Sequence, residues 1–114
     1  MQRFVILYHQ KFFSEESHWD VMLEVGDVLR TWSLVPLTKT SFSVPAKRLP
    51  DHRLAYLDYE GEISGGRGTV KRVDTGTYTM TDENTFHLDG EIFRGTLTLP
   101  EQEGTATYIR EPQA

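Results

Sequence analysis

Apolar and polar positions alternate most regularly between His18 and Val35, and the rest of the chain arranges itself around that stretch. Read as a strand, residues 18–25 put Trp19, Val21, Leu23 and Val25 on one face and His18, Asp20, Met22 and Glu24 on the other. Gly26-Asp27 is a two-residue hairpin connection, with Gly supplying backbone angles that other residues avoid. Folding about it pairs Val25 with Val28, Leu23 with Arg30, Val21 with Trp32 and Trp19 with Leu34. Apart from Arg30, that shared face is apolar. The reverse face joins His18, Asp20, Met22 and Glu24 to Val35, Ser33, Thr31 and Leu29. A one-residue slip would put Trp32 among the polar residues, so the alternation specifies its own register. Trp19, Val21, Leu23, Trp32 and Leu34 are therefore the predicted core. The plain reading of the reverse face is a solvated polar surface.

Around this hairpin the pattern predicts further short strands. Residues 3–8 (Arg-Phe-Val-Ile-Leu-Tyr) are β-branched and aromatic, without strict alternation, which suggests a central strand delivering His9 at its end. Residues 10–17 read as a connector in which Ser14-Glu15-Glu16-Ser17 caps at most one helical turn. Pro36, Pro45 and Pro50 punctuate residues 36–50, which read as a surface excursion with at most a short strand around Phe42. Asp51 to Tyr59 fits either a helical turn or a strand, and both put His52 and Tyr56 on one side. Ser64-Gly65-Gly66-Arg67-Gly68 is a flexible turn. From Thr69 onward a meander is expected: strands at 69–73, 77–80, 85–88, 91–99 and 105–110, with turns at Asp74-Thr75-Gly76, Asp89-Gly90 and 101–104. Residues 111–114 are expected to fray. The expected fold is all-β, a small closed or strongly curved antiparallel barrel of seven or eight strands. It carries at most one or two short helical turns, and the single domain spans 1–114.

Composition narrows the function classes. With 114 residues, 38% hydrophobic and 11% aromatic, the chain is an ordinary globular sequence with room for one core. No apolar run approaches the roughly 20 residues needed to span a bilayer, and Met1-Gln2-Arg3-Phe4 lacks the apolar core and cleavage site expected of a signal peptide. The absence of cysteine rules out thiolate metal sites and fits a cytoplasmic location. A monomer is expected. The net charge of −5 argues against a general nucleic-acid binder. Its distribution is less hostile: residues 47–72 hold six cations against four carboxylates, which gives +2 there and leaves −7 elsewhere. A local basic patch can face a phosphate.

Candidate chemistry rests on the histidines. His87 lies in a turn-rich hairpin and reads as a surface residue. His18 and Asp20, two apart on one strand, lie roughly 6–7 Å apart at Cα, a spacing that suits two ligands of one metal ion if a third arrives from elsewhere. His9 is the candidate third. Two imidazoles and a carboxylate suit Mn²⁺, Fe²⁺ or Zn²⁺, leaving positions for water and substrate. The three side chains are expected to converge on one point, with Met22 beside Asp20.

The ordered set Arg3-Phe4-Val5-Ile6 with His9, His18-Trp19-Asp20 with Leu23-Glu24, Val28-Leu29-Arg30-Thr31-Trp32, and Asp51-His52 with Tyr56 and Tyr59-Glu60-Gly61 resembles one family. It is the 3′-phosphoesterase domain of bacterial DNA ligase D, which also exists as stand-alone proteins. The likeness is close over residues 3–80 and loose beyond. It implies a small β-barrel that uses Mn²⁺ to trim DNA 3′ ends in repair, removing a terminal ribonucleotide or a 3′-phosphate. By motif position it implies that His9, His18 and Asp20 are metal ligands and that His52 and Tyr56 contact the scissile phosphate. Glu24 and Glu60 also match. The departures are specific. Gln10 replaces an aspartate, Met22 stands where the family has a phosphate-holding arginine, and Leu37-Thr38 replace Lys-Gly. Arg48, Arg53 and Arg67 are the candidate substitutes for the missing cations.

Three readings follow. The first is a metal-dependent phosphoesterase acting on DNA 3′ ends or a small phosphate ester. The second is a non-catalytic barrel that keeps the metal site to bind a DNA end or a partner such as a separate ligase or polymerase. In the third the histidines are structural. If nothing replaces the missing cation, Met22→Arg is expected to raise phosphoesterase activity.

Overall fold

The computed structural model describes residues 2–11 and 16–112, so the turn expected at residues 14–17 lies largely outside the described residues. Among the described residues nine strands run in chain order: β1 Gln2–Gln10, β2 His18–Val25, β3 Val28–Leu34, β4 Phe42–Arg53, β5 Gly61–Glu62, β6 Thr69–Asp82, β7 Thr85–Gly90, β8 Arg94–Thr98 and β9 Glu103–Arg110. Every strand pairing is antiparallel. The order β1-β2-β3-β4-β9-β8-β7-β6 closes when β6 returns to β1, giving an eight-strand barrel with the two-residue β5 appended to β6. Among the described residues the only helical element is a 3₁₀ turn, Leu54–Leu57, and none is long and apolar enough to cross a membrane.

The central hairpin forms in the predicted register: Val25 opposite Val28, Leu23 opposite Arg30, Val21 opposite Trp32 and Trp19 opposite Leu34. Gly26 takes φ +62° at the first turn position. Val21, Leu23, Trp32 and Leu34 enter the barrel interior with Phe4, Ile6, Phe86, Leu88, Phe93 and Tyr108. Arg30 is accommodated on that face because its guanidinium lies 5.1 Å from the centre of the Trp32 ring. Trp19 departs from its expected place. It is half-buried and tilts against Tyr8 at 4.8 Å near the end of the strand.

The reverse face of β2 is not solvated. Met22 and Asp20 are each 1% exposed. Met22 belongs to a second apolar cluster with Val5, Leu7, Leu29, Leu57, Ile63 and Val70, on the outer wall of the barrel. The segment between β4 and β6 folds back over β1–β3 and covers them, supplying Leu57 and Ile63. Alternation along β2 reveals two faces. It cannot say that a segment thirty residues later will dry the second.

Three turn signals are overruled by tertiary pairing. Residues 42–53 form a 12-residue strand bridging β3 and β9 in place of a surface excursion. Pro45 lies opposite Thr105 within it, and Pro50 falls in a bulge where a missing N–H costs no ladder bond. Asp74-Thr75-Gly76 is the middle of β6, where a side chain at Gly76 would collide with the Asp89 carbonyl of β7; glycine here permits close strand approach, with no turn. The turn placed at Asp89-Gly90 sits at residues 91–93 instead. The buried Asp74 carboxylate fixes it by accepting from the N–H groups of Glu91 (3.0 Å), Ile92 (3.1 Å) and Phe93 (2.7 Å). A carboxylate so partnered is stable in the interior, and it gathers the chain into a turn two residues late.

Candidate metal centre and phosphate pocket

β1 and β2 pair so that His9 lies directly opposite His18, and β2 places Asp20 one pleat further along the same outer face. Their ligand atoms all lie within 4.8 Å of one another, so the strand pairing brings together the three residues singled out from sequence. His18 Nδ1 is 2.5 Å from Asp20 Oδ1, and His9 Nδ1 is 3.8 Å from Asp20 Oδ2. The two imidazole rings meet edge to face at 4.9 Å.

The far side of His9 is held by the glycine-rich turn. Its Nε2 lies 2.8 Å from the Arg67 carbonyl oxygen, an acceptor only, so Nε2 donates there. In the neutral ring this leaves a lone pair on Nδ1 facing a buried carboxylate, acceptor against acceptor. A cation between them resolves that arrangement. A ring nitrogen donating to a backbone carbonyl while its partner nitrogen faces inward is also the usual outer support of a ligating histidine. The donor set therefore fits a first-row divalent ion. Gly68 makes the contact possible. It sits at φ +106°, and a side chain there would collide with the Gln10 carbonyl of β1.

A pocket of about 440 Å³ opens over this cluster, lined by His9, Asp20, Met22, Pro50, Asp51, His52, Arg53, Tyr56, Ile63, Arg67 and Val70. Its far wall depends on the β4 bulge. Thr31 pairs with Leu49, yet Leu29 pairs with His52, so Pro50 and Asp51 together oppose Arg30. Regular pairing would have set Asp51 opposite Leu29. The extra residue puts His52 on the outer face instead. His52 Nδ1 donates to the Pro50 carbonyl at 2.8 Å, which leaves Nε2 without a partner among the described residues. Tyr56, on the 3₁₀ turn, meets His52 edge to face at 5.7 Å. The pair expected to share a side in either conformation does so across the end of β4 and the turn that follows.

The three candidate cations separate. Arg48 does not line this pocket: its guanidinium lies 4.7 Å from the centre of the Trp32 ring and 3.3 Å from Asp51. Arg53 and Arg67 do line the pocket, and both are exposed. Arg67 spends only Nε, donating to the Ser64 carbonyl at 2.9 Å, so its two terminal nitrogens have no partner among the described residues. Met22 lies beside Asp20 in the pocket wall as expected. The two matching glutamates serve the scaffold: Glu24 accepts from the Arg3 backbone N–H and Glu60 from that of Arg72, each at 2.9 Å. His87 stays at the surface, 3.1 Å from Glu111. Sequence reading missed the Arg67 carbonyl, whose role depends on chain path and carries no side-chain signal.

Residues 10–104 match the model of a family described as the DNA ligase D 3′-phosphoesterase domain, so that His9 stands one residue ahead of the matched span. The multifunctional non-homologous end joining protein LigD of Pseudomonas aeruginosa is 31% identical over 100 residues, covering 75% of this chain. The chain spans 12% of that relative's length.

Proposed function

The chain belongs to the DNA ligase D 3′-phosphoesterase domain family, and from that premise we propose that it is a divalent-metal-dependent phosphoesterase acting on DNA 3′ ends. The family supports a role in DNA end processing. The observation that carries the finer reading is the convergence of His9, His18 and Asp20 beside a pocket that His9 and Asp20 line together with His52, Tyr56 and two arginines that have no acidic partner among the described residues. His9, His18 and Asp20 hold the ion, with Mn²⁺ the first choice and Zn²⁺ or another first-row ion the alternative. When bound, it supplies charge neutralisation for a phosphoryl oxygen and an activated water.

The remaining work belongs to side chains of this chain. Arg67 and Arg53 attract the phosphate and pair its non-bridging oxygens, which replaces the cation missing at Met22. His52, fixed through Nδ1 to Pro50, presents Nε2 for hydrogen bonding or proton exchange with the phosphoryl group. The Tyr56 hydroxyl orients the same group. The substrate is a 3′-phosphate or 3′-terminal ribonucleotide on a DNA primer.

The test is initial rate on a 3′-phosphate primer–template with and without Mn²⁺. Wild type is expected to release phosphate only with the metal, and His9→Ala to abolish both turnover and Mn²⁺ binding measured by calorimetry. Turnover unaffected by chelation would overturn the reading. A second reading is a non-catalytic barrel binding a DNA end or a separate ligase or polymerase, favoured by the buried thioether of Met22 where the family pattern carries an arginine. Metal-dependent DNA binding without turnover would select it.

A further inference from the structure

Beside the phosphate pocket lies a second recess of about 250 Å³, lined by Arg53, Ala55, Tyr56, Tyr59, Glu62, Ile63 and Ser64. The two share Arg53, Tyr56 and Ile63, so they form one continuous surface on the covering segment. Three aromatic rings lead from one to the other. His52 meets Tyr56 at 5.7 Å and 72°, and Tyr56 meets Tyr59 at 5.9 Å and 86°. The outermost ring is the unusual one. Tyr59 is 41% exposed, one of few large apolar side chains left open among the described residues.

Tyr59 is open without being loose. Its hydroxyl donates to the Glu62 carbonyl across the turn leading into β5, and the ring packs over Gly61, which adopts φ +134°. A fixed aromatic face in contact with solvent is a stacking platform, because every nucleobase offers a π-face of its own. Arg53, exposed on the boundary between the recesses, has no acidic partner among the described residues and can face the linking sugar-phosphate.

We propose that this recess takes the nucleobase of the terminal nucleotide, stacked on Tyr59, while that nucleotide's 3′-phosphate occupies the neighbouring pocket. The inference rests on reading the pocket as a DNA 3′-end site, and it adds that the end is recognised as an unstacked base as well as a phosphate. The base contact is sequence-tolerant, since stacking on a tyrosine reads no hydrogen-bonding edge.

Binding tests it independently of turnover. Two primer–templates ending in a 3′-phosphate are compared by fluorescence anisotropy with Mn²⁺, one with a normal terminal nucleotide and one with an abasic terminal nucleotide. Wild type is expected to prefer the normal end by about 5- to 100-fold, the range of one aromatic–base stack. Tyr59→Phe keeps the ring and the preference. Tyr59→Leu loses the preference while binding the abasic end as wild type does, which shows the phosphate pocket intact. Equal affinity of wild type for both ends, or a preference surviving in Tyr59→Leu, overturns the subsite and implicates the sugar-phosphate alone. Binding to neither end overturns it as well. Base-dependent binding without phosphate release would support the subsite while counting against the phosphoesterase reading.

Discussion

The two sides of β2 solve different problems with the same alternation. Inward, Val21 and Leu23 join a closed interior in which eight strands share the load. Outward, Asp20 and Met22 lie under a cover made from one segment, anchored by Leu57, Ile63 and the 2.8 Å bond from His9 to the Arg67 carbonyl. The inner face is stabilised by topology and can absorb chemical change only at a cost in folding. The outer one is stabilised locally, so chemistry can be altered there while the barrel stands. Asp20, buried on the outer side, is the price of placing a charge where a ligand can reach it.

Substitutions should separate the two sides. Trp32→Ala, at the centre of the interior, is expected to cost about 3–5 kcal/mol of stability in denaturant unfolding. It also deletes the bond from Nε1 to the Pro100 carbonyl at 2.7 Å. Any loss of Mn²⁺ binding should simply follow the folded fraction. On the outer side, Arg67→Gln should lower kcat/KM on a 3′-phosphate primer–template about 10- to 100-fold, the value of a charged hydrogen bond, with unfolding unchanged. Met22→Arg should leave the rate of the wild-type background little changed and restore part of the rate in Arg67→Gln, while lowering the unfolding midpoint because Met22 is buried among apolar neighbours. A large gain in the wild type would mean that the pocket arginines do not reach the phosphate.

Gly68→Ala sharpens the boundary. Strain at φ +106° together with the collision at Gln10 should cost about 1–3 kcal/mol. The damage should fall on the cover: faster amide exchange at 61–68 and weaker Mn²⁺ binding, with barrel strands still protected. Alkaline pH tests the interior. Burial pushes the Tyr78 and Tyr108 phenols up from their usual value. Their contribution to stability is therefore complete below about pH 10 and is lost as pH rises through the higher folded values. The unfolding midpoint should fall as pH is raised above about 10, and less so in Tyr78→Phe. Smallest of all is Asp58→Asn. The Arg3 guanidinium at 3.0 Å holds the Asp58 carboxyl below the usual range, so the pair's contribution is present at neutral pH and lost as pH falls through that lowered value. Both side chains are exposed, and solvent screening should leave the unfolding midpoint indistinguishable from wild type.

The same division explains what could be read from the sequence. The β2–β3 hairpin was legible to the residue, because a period of two and a Gly-Asp turn are local facts. The meeting of His9, His18 and Asp20 was legible because it requires only two adjacent strands. β4 was hidden by its prolines, which tolerate their places only because a bulge and a particular partner strand exist elsewhere. The middle of β6 and the turn at 91–93 were misread for a related reason. Glycine and aspartate signal turns locally, but Gly76 serves strand approach and Asp74 reaches 17 to 19 residues ahead for its partners. Arg48 looked like a phosphate contact until Trp32 and Asp51 claimed it.

The bulge at Pro50-Asp51 makes the identity of the pocket wall a matter of phase. Two neighbouring letters, one acid and one imidazole, compete for a single outward position, and a one-residue offset in the ladder decides between them. Closing the bulge without removing a residue would leave every other strand in frame while setting Asp51 opposite Leu29 and turning His52 to the other face. A slip of one residue, with no change of sequence, would here replace an imidazole by a carboxylate in the pocket wall, whereas deleting Pro50 or Asp51 would straighten the strand and keep His52 opposite Leu29. Which side chain walls the pocket is therefore set as much by where β4 breaks its ladder as by the residues it contains.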